Sequence, residues 1–519
     1  MNRKLIKNYI CLIYPLFTLI YFLYMFFSGI RTGITMTFFL LAGILGICAL
    51  GYITVKTTED KVFGAYILYN LLSGIWCVAF GIPVGVFIGE ISTTLLPMML
   101  YYAGRGFDEE YAGKYYHGFI LAALLMGGIG AVLFIRAPQF YIDFSYVNEF
   151  ISKADAPTMR VRMNSLVGSG PMGCFVAYST CASAYFLRKE DKKDRMTGMV
   201  YIILSILFSF MANQRSAMFC IILFLVFLNL VDFMVDKNKP LKYLWMEAGA
   251  VAALLAGIFI FARGVFEKFR IRLASIPDGF GERSESWIAA VNNMVNFWIG
   301  DGLGSHGHRA VDHQYYIVAD GGLVKLYAEM GLIGTSMIIF VVALVYIKSF
   351  QRQGITAAAG GVAAESAAPE ESGTAAEIPA AAAGGAAGGA SGDRKDPNSE
   401  DAAEKRKLGL VVPELAIITS AILMSIGSNV LEMELCAPIA YFALGRAVKL
   451  LSGDRAGEEY IGKFDDSKED IGDNETDGIP EGVPAAEGSA PAEASGYAGG
   501  STASGAEGIT GNAIAGDGA

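Results

Sequence analysis

Residues 9–30 read YICLIYPLFTLIYFLYMFFSGI, an apolar run long enough to cross hydrocarbon as a helix rising about 1.5 Å per residue. It has no obvious small-residue cleavage site, so it reads as a retained helix and not as a removed leader. Residues 199–212, MVYIILSILFSFMA, show the same character inside a longer apolar stretch. Over 519 residues the chain is 54% apolar, and its mean hydropathy is +0.44. The expected fold class is an all-α integral membrane protein. About twelve transmembrane helices are expected, with a large extracytoplasmic loop between spans 9 and 10.

The spans are expected near 9–29, 33–54, 62–81, 83–103, 117–135, 169–187, 196–212, 217–235, 243–262, 326–348, 410–428 and 433–450. Cationic clusters at Arg3/Lys4/Lys7, Lys56/Lys61, Arg105/Lys114, 188–195, Lys237/Lys239/Lys242 and Lys405/Arg406/Lys407 then all fall on one side. By the positive-inside rule that side is cytoplasmic. An even number of spans puts both termini there as well, in a multi-pass protein of the bacterial cytoplasmic membrane. The expected organisation is helices 1–9 over 1–262, an extracytoplasmic catalytic loop over 263–325 and helix 10 over 326–350. A disordered cytoplasmic linker follows over 351–408, then helices 11 and 12 over 409–451, and a disordered acidic cytoplasmic tail over 452–519.

The net charge of −10 belongs to that tail. Residues 452–519 carry 15 acidic and 3 basic side chains, a local net of −12, which leaves the rest of the chain at +2. Neither the Ala/Gly/Glu-rich linker nor the tail can bury enough apolar surface to offset its ordering entropy. All seven cysteines, Cys11, Cys48, Cys77, Cys174, Cys181, Cys220 and Cys436, lie in apolar runs. That placement indicates neither a disulfide framework nor a thiolate metal site. Nothing in the chain points to a nucleic-acid partner. No internal repeat of the kind found in many transporters is visible.

A polar island between Arg263 and Lys325 interrupts the apolar pattern. It holds three of the four histidines, His306, His308 and His313, and five arginines. The outer side as a whole is rich in arginine, including Arg160, Arg162, Arg215, Arg272 and Arg283. A guanidinium forks onto phosphate oxygens through paired hydrogen bonds and keeps its charge at any relevant pH. These five are the candidate substrate-binding residues, suited to a pyrophosphate at the membrane surface. The plainer reading is that they decorate the interface or pair with carboxylates. Arg215, in MANQRSAMF, stands in a break of a few residues between two apolar spans. There it either faces a polar cavity or snorkels.

The spacing His306-x-His308-x4-His313, with Asp312 or Asp320, could offer metal ligands, but a Gly-rich loop makes that pattern weak, and no metal is expected. His313 suits a general base or a hydrogen-bond partner equally with a structural role. Asp320 opens DGGLVKLYAEMGLIG. On one continuous helix it would lie about 2.5 turns from Glu329, on roughly the opposite side. Glu329 followed by Gly331 and Gly334 fits a helix that approaches another backbone closely, so Glu329 reads as structural.

In order and placement, RMNSLVGSG (Arg162–Gly170), NQRSA, ERSESWIAAVNNMVNFWIGDGLGSHG and VADGGLVKLYAEMGLIG resemble the O-antigen ligase and O-antigen polymerase family of bacterial polysaccharide assembly. The resemblance covers roughly residues 1–350 and the last two spans. It implies a glycosyltransferase-like enzyme whose donor is a polyprenyl-pyrophosphate-linked glycan, with no cofactor and no nucleotide sugar. A flippase and a chain-length regulator would be its further partners beside the lipid bilayer. It also implies that Arg162 and Arg215 hold the pyrophosphate, with His313 and Asp320 as catalytic candidates. The ligase branch is similar to a pattern with histidine and Asn ahead of E-x-G-x-x-G, where this chain has Asp320-Gly321. That departure favours a polymerase over a ligase. A lipid-linked-glycan flippase and a membrane scaffold are the readings from other classes.

Overall fold

A computed structural model describes residues 3–28, 40–41, 43–48, 51–136, 138–139, 141, 162–189, 191–235, 276–307, 321–366, 397–433 and 435–452. Isolated positions between 249 and 270 complete the described set. Among the described residues the chain is all-helical, and six helices are long and apolar enough to cross a membrane. The span expected at 33–54 lies partly outside the described residues, that at 243–262 largely so, and the tail from 453 onward wholly so.

The first helices are α1 (Arg3–Ser28), α2 (Thr58–Ala79), α3 (Val84–Gly106) and α4 (Glu109–Arg136). They are followed by α5 (Ser169–Leu187), α6 (Lys192–Ala212), α7 (Arg215–Val235) and α8 (Ile276–Asn292). Then come α9 (Gly322–Ser366), α10 (Pro397–Gly427) and α11 (Ala437–Ser452). Helices α9 and α10 run into the expected linker from both sides. Alanine, glutamate and lysine build helix readily even where they build no core. Residues 367–396 lie outside the described residues.

Helix α5 is the centre of the bundle, packed on α4, α6, α7 and α10. Nearly all its side chains are buried, as expected of a helix that is apolar or small on every face. Helices α3 and α11 make the closest approach: a Cβ on Gly445 would lie 1.9 Å from the Tyr101 carbonyl oxygen. A Cβ on Gly104 would lie 2.1 Å from the carbonyl oxygen of Phe442. Only glycine allows that contact, in which backbones meet as small residues permit in membrane bundles. Aromatic rings fill the flanks, with Tyr115 and Phe442 centred 4.0 Å apart and Phe63 stacked on Tyr101 at 4.2 Å.

One end of the bundle, at the α3–α4 turn and the C-terminus of α11, is closed by ion pairs. Arg105 places two guanidinium nitrogens 2.9 Å from the two carboxylate oxygens of Asp60, which also accepts from the Tyr101 hydroxyl at 2.7 Å. Arg446, 2% exposed, pairs with Glu109 and lies 3.8 Å from the fully buried Glu414, whose Oε1 accepts from the Tyr116 hydroxyl at 2.9 Å. Lys348 pairs with Glu59, and Lys7 with Asp108. Such cations, each on a carboxylate, fix the helix ends to one another.

Six cysteines are buried and Cys48 is exposed; all seven are free thiols.

Candidate functional site

The opposite end is built from four chain segments, and the arginines singled out from the sequence enter it from three of them. The segment ahead of α5 brings Arg162, whose guanidinium donates to Ser169 Oγ at 3.4 Å. It is tied to the end of α6 by a hydrogen bond from the Met163 amide to the Met211 carbonyl, at 2.9 Å. Asn213 then ends α6 in the left-handed conformation, φ 49°, the usual device for stopping a helix without glycine. Arg215 opens α7 just beyond that turn. Arg283 comes from α8, and donates to the Gly427 carbonyl at the end of α10 at 2.7 Å.

These placements bring Arg162, Arg215 and Arg283 together. The charges of Arg283 and Arg162 both bear on the partly buried guanidinium of Arg215. Guanidiniums in electrostatic reach of one another are suited to an anion with several oxygens. Among the described residues the two non-glycine residues with positive φ, Ser165 and Asn213, both flank this cluster. Sparsely populated backbone conformations are held in place at such sites by the packing around them. Here Ser165, fully buried, donates to the Met126 carbonyl at 2.5 Å. Arg160, Arg272, His313 and Asp320 lie outside the described residues; among the described residues the cluster holds Arg162, Arg215 and Arg283.

A second polar cluster, which the sequence did not announce, stands beside the first. Lys325, 1% exposed, lies 3.6 Å from Glu90 of α3 and 3.5 Å from Glu329 of its own helix, and pairs with Glu432. Glu432 closes a short 3-10 turn, Val430–Glu432, just after the Gly427 carbonyl that receives Arg283. The two clusters therefore share one connection, with Gln214 reaching Ser428 across it at 3.5 Å. One ammonium cannot neutralise three carboxylates. Burial pushes the Glu432 carboxyl up to about 8, and the nearby charges of Glu90 and Glu329 add to that, against the opposing pull of Lys325.

The backbone around Lys325 is irregular for a reason that can be traced. Gly331 takes φ 62° and breaks α9, which would strand the carbonyls before it and the amides after it. The 297–302 segment takes them up. The amides of Asp301 and Gly302 donate to Ala328 and Glu329 at 3.0 and 2.9 Å, and those of Leu332 and Ile333 donate to Phe297 and Trp298, both at 3.0 Å. Broken helices are tolerated at membrane depth only when the freed groups are paired in this way. The expected close approach at Gly331 is seen, since a Cβ there would lie 2.3 Å from the Gly300 nitrogen.

Residues 300–307 are all buried, and Gly300, Gly302 and Gly304 have positive φ. Asp301 accepts from the amides of Val295 and Asn296 through Oδ1 and holds His306 Nε2 at 2.9 Å through Oδ2. The His306 amide donates to Glu329 Oε1 at 3.1 Å. Thus His306, the described member of the three clustered histidines, serves the loop's own architecture. Glu329, 2% exposed, serves the same architecture. In α3 a π-helical turn, Ile91–Leu95, follows Glu90 directly. Pro97 lacks the amide that an α-turn would use and would press on the carbonyl four residues before it, which favours the wider turn. Thr93 donates to Glu90 Oε2 at 3.2 Å.

Among the described residues no three His, Cys, Asp or Glu side chains are placed to hold a metal ion. No protein-family model matches the chain, and no curated protein matches it.

Proposed function

We propose that the chain is a polymerase of polyprenyl-pyrophosphate-linked oligosaccharide repeats, acting at the outer face of a bacterial cytoplasmic membrane. The reading adopts about twelve spans, both termini inside and the 263–325 loop outside. A hydroxyl of one lipid-linked repeat attacks the anomeric carbon of another. The new glycosidic C–O bond forms as the bond to the pyrophosphate oxygen breaks, and polyprenyl pyrophosphate leaves. Arg162, Arg215 and Arg283 share the negative charge that develops on that leaving group, with Arg160 and Arg272 as further donors. His313 or Asp320 orients the attacking hydroxyl and takes its proton.

The observation that carries this reading is that the segments of Arg162, Arg215 and Arg283 are tied together by the Met163–Met211, Gln214–Ser428 and Arg283–Gly427 hydrogen bonds, so that the charges of Arg162 and Arg283 bear on Arg215. The test is complementation by Arg215→Ala and Arg215→Lys at membrane abundance equal to wild type. Loss of polysaccharide with both supports a bidentate phosphate site. Full complementation by either removes the assigned role.

A second reading is a transporter of a lipid-linked glycan, and one observation favours it. Lys325 and Glu329 are buried charges on a helix broken at Gly331, the combination by which many transporters form binding sites. Transfer of a fluorescent lipid-linked oligosaccharide across a proteoliposome membrane, with the glycan unchanged in mass, would establish it in place of polymerisation.

A further inference from the structure

Helix α8 is too short and too polar to count as a candidate span. Its 17 residues include Asp278, Glu282, Arg283 and Glu285, and it is absent from the six helices long and apolar enough to span. It carries two unlike stripes. Arg283 binds the Gly427 carbonyl, Trp287 packs where a Cβ on Gly321 would come 2.7 Å from its Nε1, and Ala290 is fully buried. Beside that stripe Ile288 and Val291 are exposed, and the turn that follows exposes Val295, Phe297 and Trp298, the last to 61%. That is a row of large apolar side chains without protein cover among the described residues.

The row continues into the flank of a candidate span. Phe297 and Trp298 accept from the amides of Leu332 and Ile333, which are themselves exposed at the start of the long apolar part of α9. Farther along the same helix Ile339 and Phe340 are exposed too. Exposed apolar side chains therefore run from a candidate spanning helix through the 295–298 turn onto α8. Polar Asn292, Asn293 and Asn296 are interleaved at its edge.

We infer that the Ile288–Trp298 face is a membrane-contact surface, immersed at the headgroup–acyl boundary of one leaflet. An amphipathic helix followed by a turn that presents Phe and Trp takes that position because its apolar face gains acyl contact while its polar face stays wet. The leaflet is favoured over a second copy of the chain because the patch is continuous with the flank of a span. Arg283, on the stripe beside that face, then stands at the depth of lipid phosphates. The inference concerns immersion alone, so it survives or falls separately from the reaction assigned to the arginines.

The experiment is depth-dependent quenching in lipid nanodiscs, comparing the full chain with Trp298→Phe. Bromine is placed on the lipids either near the headgroup or near the acyl end. The Trp298 component, taken as the difference between the two proteins, should emit at short wavelength. Headgroup-proximal bromine should quench it about twofold more than acyl-end bromine. Long-wavelength emission with no quenching would overturn the proposal. So would a component shielded from both bromines in a cross-linked dimer, which would give the face to a second copy. If Trp298→Phe lowers the yield of folded protein, a spin label on Val295→Cys in a Cys48→Ser background reads the same depth. Preferential access for oxygen over a water-soluble nickel chelate supports immersion, and the reverse contradicts it.

Discussion

The two ends of the helix bundle use arginine in different ways. At the end formed by the α3–α4 turn and α11, Arg105 and Arg446 each meet carboxylates from other helices, and the result is a clamp. At the end formed by the α6–α7 turn, Gly427 and the start of α9, Arg162 is held by Ser169 and Arg283 by the Gly427 carbonyl, and the charges of both bear on Arg215. Opposite charges brought together by folding stabilise the fold. Guanidiniums from separate segments that bear on one another direct attention to a ligand. The contrast predicts that substitutions at the first end act on folding, and that substitutions at the second act on activity.

The largest effect should come from Arg446→Ala. It leaves the fully buried Glu414 without its guanidinium, and breaking a buried pair from one side costs about 3–5 kcal/mol. Folded protein in the membrane should fall steeply, as read by thermal melting of the solubilised chain. Unchanged melting would remove the distinction between the ends. Next is Arg215→Ala, for which a loss of about a hundredfold or more in turnover is expected, with the melting temperature close to wild type. A variant that loses activity only in proportion to its abundance would instead place Arg215 with the clamps.

A smaller, pH-dependent effect belongs to Glu432. Its carboxyl is raised in the folded chain to about 8 by burial, so between the ordinary carboxylate range and pH 8 the native state holds more protons than the unfolded state. Stability must then fall as pH rises across that window. Glu432→Gln should flatten the decline in melting temperature between pH 5.5 and pH 8, and an unchanged slope would show that the proton is held elsewhere. Smallest of all is Lys7→Ala. Its pair with Asp108 is 3.4 Å long, and Asp108 is 41% exposed, so the loss should stay below about 1 kcal/mol. A drop comparable with that of Arg446→Ala would contradict the account of how this end is clamped.

Much of this was legible in the chain because membrane helices advertise themselves. Runs such as 9–30 and 199–212 could hardly be anything else, and the structure has helix at both. Arg215 was legible because it stands alone in a short break between apolar runs. The meeting of Arg215 with Arg162 and Arg283 was foreshadowed only by sidedness, since helix packing decides which loops become neighbours. The Lys325 cluster was not legible. Its partners Glu90 and Glu432 come from distant segments, and each reads alone as a single acid near a span. Nor does sequence distinguish a glycine that permits close packing from one that also breaks a helix. Gly331 does both.

The central claim is that the arginine end handles the pyrophosphate of a lipid-linked glycan while repeats are joined. The most direct measurement is incubation of the purified protein with a short polyprenyl-pyrophosphate oligosaccharide, followed by mass analysis of the glycan. The account predicts a ladder at multiples of the repeat, with free polyprenyl pyrophosphate released in step. A donor of unchanged mass, from protein whose folding is verified by melting, would contradict it.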